Sequence, residues 1–140
     1  MARSGGSALA AALVARRGAR ERAERELVQR LGDVRQAEGA LVAAEAGVQE
    51  ARDEADRVWC DAVDPTRLQL LRAGAQDAVE SATRRFQAAE RALESAREHA
   101  VRARELLAGA SADEEAVARL IERKAGEDAL VARRRAEEDG

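Results

Sequence analysis

A chain of 140 residues has room for one domain, but with 36% charged and 1% aromatic residues it lacks the large side chains that fill a rounded core. Its 24 basic and 27 acidic residues cancel to a net charge of −3, which argues against a nucleic-acid or membrane-surface binder. It also argues against a disordered chain, the rival reading, because disorder pairs low hydropathy with high net charge. Most of the 46% apolar fraction is alanine. Alanine, leucine, arginine and glutamate with a single proline are the mix of long helices and coiled coils.

The first six residues, with Gly5 and Gly6, read as a frayed start. The stretch Ala8–Ala15 is too short for a targeting segment and is followed at once by Arg16 and Arg17. A helix is expected over 7–63, interrupted only by the scattered Gly18, Gly32, Gly39 and Gly47. Then Asp64-Pro65-Thr66 stops it: Asp is a preferred N-cap, Pro suits the first helical position, and the residue before Pro is pushed out of helix. A second helix is expected over 67–137. Ser111-Ala112-Asp113-Glu114 has the form of a capping box with Gly109 before it, so a kink is expected near 109–111, with a full break as the alternative. Each helix would be on the order of 80–100 Å long.

Heptads run through both segments. In the first, Leu13, Leu27, Val34, Leu41 and Val48 share one position, and Ala37, Ala44 and Ala51 follow the last three by three residues. In the second, Val79, Phe86, Leu93 and Leu107 share a position with Ala100 between them, and Leu68, Ala75, Ala82, Ala89, Ala96, Ala103, Ala110 and Val117 fill the other. Alternating large and small seam residues let two backbones approach closely in a left-handed supercoil. The central break selects a hairpin over a dimer of straight helices. The expected fold is therefore all-α, two long helices forming one antiparallel coiled-coil hairpin.

No catalytic constellation stands out, and the chain is not expected to be an enzyme. His99 is the only histidine and Cys60 the only cysteine, far apart in sequence, which is too few ligands for a metal site. The glycines have no phosphate-loop spacing, so no cofactor is expected. A lone cysteine fits a reducing, cytoplasmic setting, and no apolar run approaches membrane-spanning length. Three features remain. Trp59 lies one turn before the break, either capping the apolar seam or contacting a partner. Arg133-Arg134-Arg135 precede an acidic ending, either complementing the helix dipole or binding a partner. Arg16, Arg17, Arg20 and Arg22 lie near the first helix start. An antiparallel hairpin would bring both arginine clusters to one open end, a basic partner-binding surface.

With its size, its Leu- and Arg-rich first helix, its mid-chain break and the stretch from Glu122-Arg123-Lys124 through Arg133-Arg134-Arg135 to Glu137-Glu138-Asp139, the chain resembles the central-stalk proteins of type III secretion systems and their flagellar export counterparts, the YscO and FliJ families. The resemblance covers nearly the whole length. It implies a stalk similar to the coiled coil of a rotary ATPase γ subunit, whose open end enters the hexameric secretion ATPase and whose other end reaches toward the export-gate protein. Carried over by position, Arg16, Arg17, Arg20, Arg133, Arg134 and Arg135 would contact the ATPase, and Trp59 and Arg67 would face the gate. The stalk would act at the cytoplasmic face of a secretion apparatus, with no nucleic acid and no direct membrane insertion. A generic coiled-coil adaptor or tether and an export chaperone are the competing readings.

Overall fold

The computed structural model is all-α, a helical hairpin of α1 (Ala2–Cys60) and α2 (Pro65–Asp139), which pack on each other. Residues 2–60 and 64–140 are described, with side chains over 5–59 and 64–140, and no strand occurs among them. α1 begins at Ala2, ahead of the expected residue 7. A side chain at Gly5 would meet the ammonium of Lys124 of α2, the far end of a flexible side chain that can move aside. The expected last residues of the first helix, 61–63, fall outside the described residues.

α2 starts at Pro65, two residues before the expected 67, because proline needs no N–H partner in the first turn. The Asp64 carbonyl accepts the first helical hydrogen bond, from the Leu68 N–H at 2.8 Å, so Asp64 holds the N-cap position. α2 then stays helical through Gly109, Ala110 and Ser111 to Asp139. Glu114 does not turn back to cap a new helix at Ser111. Its carboxylate reaches across to α1 instead.

The chain divides into two compact units, residues 29–100 and residues 1–28 with 101–140. In the 29–100 unit the buried side chains are Val48, Ala82, Leu93 and Ala100. Val34, Leu41, Val79, Phe86, Ala89 and Ala96 are half-buried beside them. In the other unit Ala103 is the deepest residue, at 3% exposure, and Leu9, Leu13, Leu27, Leu107, Val117 and Ile121 are half-buried. The inward residues of α2 follow the seven-residue series read from the sequence, and alanines are among the deepest, alongside Leu93. That is the mark of closely approaching helices. Each helix has only one covered stripe, so among the described residues no side chain is wholly enclosed. Outer positions carry i,i+3 and i,i+4 pairs such as Arg57–Glu54 at 3.1 Å and Arg119–Glu115 at 3.6 Å, which add little stability. Arg97 and Glu38 approach across the helices at 4.0 Å.

A methyl group added at Gly32, Gly39 or Gly47 would meet nothing within 4 Å, and none of the three has the positive φ that favours glycine. These glycines therefore weaken α1 without serving a turn or a close approach inside the unit. Changing all three to alanine should raise the unfolding free energy by roughly 1.5–3 kcal/mol, at about 0.5–1 kcal/mol each. Urea unfolding followed by circular dichroism measures this, and an unchanged or lower midpoint contradicts the account.

Candidate functional site

Two places in the fold combine charged side chains with the seam. The first lies in the unit of residues 1–28 and 101–140. Arg20 falls seven residues after Leu13 and seven before Leu27, and Glu114 falls seven after Leu107 and seven before Ile121. Both occupy positions the heptad assigns to apolar side chains, and they meet there. The Arg20 Nε donates to Glu114 Oε2, and Arg20 Nη1 donates to Glu24 Oε1 at 2.6 Å. Arg17 Nε stands 3.6 Å from Glu114 Oε1, and Arg16 Nη1 stands 3.6 Å from Asp113 Oδ2. The Arg20 and Glu114 side chains are only 29% and 19% exposed, while Arg16 and Arg17 are more than half exposed.

Hydrogen bonding to Glu114, and then to Glu24, raises the Arg20 pKa above its ordinary value. A raised basic group contributes its stability below its unfolded pKa and loses it only as pH climbs through the folded one. For arginine that window lies far into alkali, so Arg20 keeps its charge at any working pH. The result is a polar layer in an otherwise apolar seam, the kind of device that fixes the register of paired helices.

Of the arginines expected at one basic end, Arg16, Arg17 and Arg20 are thus brought to α2's own Asp113 and Glu114. Arg133, Arg134 and Arg135 are exposed, and they sit 19 or more residues beyond Glu114 in α2. With Arg20 facing Glu114, the two clusters are on the order of 30 Å apart along the helices. They share a unit without forming a single patch. The sequence shows the carboxylates Asp113 and Glu114 as part of a capping box, not as partners of the arginines. The signal was present as the seven-residue offset of Glu114 from Leu107.

The second place lies in the 29–100 unit, at the start of α2. Trp59 is 61% exposed, so its indole covers the seam only in part. The Arg72 guanidinium stacks on it, 3.7 Å from the ring centroid. Arg67 is exposed on the first turns of α2. Arg72 was also missed in sequence, though it stands seven residues before Val79 in the large-residue series. Beside the pair is a groove of about 250 Å³ lined by Ala55, Trp59, Arg72, Ala75, Gln76 and Val79.

The chemistry on offer is recognition by charge and shape. The larger groove, about 690 Å³, is floored by alanines and Gly47 with Glu50, Glu54 and Arg85 at its edges. His99 is exposed. Among the described residues no group of His, Cys, Asp and Glu could hold a metal ion, and no helix is long and apolar enough to cross a membrane. No family model, curated protein or solved structure matches the chain.

The polar layer makes a signed prediction. Glu114→Leu leaves Arg20 in the seam with Glu24 as its one carboxylate among those described and should lower the melting temperature by about 2–5 °C. The double change Arg20→Leu with Glu114→Leu should recover the loss or exceed it, because two leucines pack where the ion pair stood. Thermal unfolding of the two variants side by side is the measurement. A double variant less stable than the single one contradicts the assignment.

Proposed function

We propose that this chain is a non-enzymatic coiled-coil stalk of a type III secretion or export apparatus. The end carrying both termini enters the hexameric secretion ATPase, and the turn end faces the export-gate protein, on the cytoplasmic side of the membrane. The observation that carries this reading is the exposed run Arg133-Arg134-Arg135 on α2, within the stretch that resembles the stalk family. Arginine forks bind carboxylates bidentately and keep their charge, so such a run suits an acidic collar around a helix. The alanine seam supports it as well, because a narrow pair of helices fits a pore that a broader bundle would not. Catalysis belongs to the ATPase on this reading.

A coiled-coil adaptor is the second reading. It is favoured by Val14 and Val28, spaced 14 residues apart on α1 within one unit and 69% and 71% exposed, which offer apolar anchors to another helix.

The arginines separate the two. Arg16, Arg17 and Arg20 already have carboxylate partners, whereas the 133–135 run is the more available for a partner. Changing Arg133, Arg134 and Arg135 to alanine should weaken capture of a purified secretion ATPase about tenfold or more. Changing Arg16 and Arg17 to alanine should weaken it less. Undiminished capture by the first variant, or no capture by the unchanged chain, sinks the stalk reading.

A further inference from the structure

Arg72 is the odd residue of its series. Positions 72, 79, 86, 93, 100 and 107 carry Arg, Val, Phe, Leu, Ala and Leu, so a guanidinium stands where the seam asks for an apolar side chain. Its Nε is buried and has no hydrogen-bond partner. Leaving such a donor unmet is costly, more so on a charged group. Arg20, the other arginine in a large-residue series, differs in the respect that matters: Glu114 and Glu24 both bond to it. No carboxylate among the described residues pairs with Arg72. Among the described residues it meets the electron-rich face of Trp59 instead. Trp59 is itself the chain's single tryptophan and 61% exposed.

We propose that Trp59 and Arg72 form a docking site for an acidic, amphipathic segment of a partner protein, in which one carboxylate meets the Arg72 guanidinium and an adjoining apolar side chain lies against Trp59. The groove has the chemistry for both halves. Ala55, Ala75 and Val79 give it an apolar floor, and Gln76 and Arg72 supply donors at its edge. A half-buried guanidinium that no carboxylate among the described residues meets and a mostly exposed indole are each explained by a partner that pairs with one and covers the other. Trp and Arg are also the residue types most enriched where interfaces concentrate their energy. The charge argument selects the class of partner. One guanidinium fork matches one carboxylate, while an anionic lipid surface is met by a cluster of several cations. An apolar floor beside a single cation asks for an apolar side chain and an anion carried on the same segment. The site lies within the unit of residues 29–100 and does not depend on what the 133–135 arginines bind.

Trp59 reports on its own surroundings, so its fluorescence is the readout. The full chain is titrated with a short amphipathic peptide carrying Leu at helical spacing and Glu beside it, and with the same peptide carrying Gln in place of Glu. The Glu peptide should shift Trp59 emission saturably, and the Gln peptide should bind about tenfold more weakly or not at all. Arg72→Leu should abolish the response to the Glu peptide and raise the melting temperature, since it restores an apolar seam. Arg72→Lys keeps the charge without the fork and should bind at least several-fold more weakly. Equal response to the two peptides, no saturable response up to about 1 mM, or a response only to phosphatidylserine vesicles overturns the proposal. A lowered melting temperature in Arg72→Leu also overturns it, because Arg72 would then be a structural member of the seam.

Discussion

Two helices that bury only one stripe each depend on how closely that stripe lets them approach. Here the approach is set by alanine. Ala82, Ala100 and Ala103 are among the most deeply covered residues, deeper than the half-buried Phe86. A methyl side chain brings the backbones near enough for Leu93 and Val48 to be covered by the opposite helix, which no larger residue at the alternate layers would permit. The rest follows from this narrow contact. There is no second layer to shelter a polar group or enclose a cavity, so charged side chains line the flanks and the grooves stay open.

The same narrowness makes each departure from the apolar series consequential. Apolar seams repeat, and a repeat can slip by a heptad at small cost. A slip would part Arg20 from Glu114 and leave both against alanine or leucine. The polar layer thus contributes specificity more than stability. Arg72 breaks the series in the same way, but among the described residues no carboxylate pairs with it, and it leans on the quadrupole of Trp59 instead. Among the described residues, one interruption is met by carboxylates and the other by an aromatic face.

The fold was legible because its determinants are periodic. The seven-residue spacing of Ala75 through Ala110 fixes the face, and Asp64-Pro65 fixes the reversal. The ends of the helices were less legible. Asp64 as N-cap and Pro65 as first helical residue were the signal for the start of α2 at Pro65, ahead of the expected 67. The alternative of a full break near Gly109 rested on a capping box whose glutamate instead pairs with Arg20, and α2 runs on through it. The arginine clusters were found by their charge, but their neighbours were not. Whether an arginine is open to a partner depends on which residue faces it across the pair, and that requires the register. Arg20 and Arg72 were read past because a heptad scan looks for apolar residues, and the informative positions were the ones that broke it.

The central claim is an antiparallel pairing of α1 and α2 in one register, held by the alanine seam. The most direct measurement is cross-linking with a short bismaleimide in a Cys60→Ser background, comparing Ala51→Cys with Ala82→Cys against Ala51→Cys with Ala89→Cys. Ala51 and Ala82 line the same groove, so the first pair should link efficiently within one chain at monomer mobility, and the second pair, one heptad away, should link poorly. Links formed only between chains, or better linking of the second pair, would contradict the register and with it the account of every seam residue.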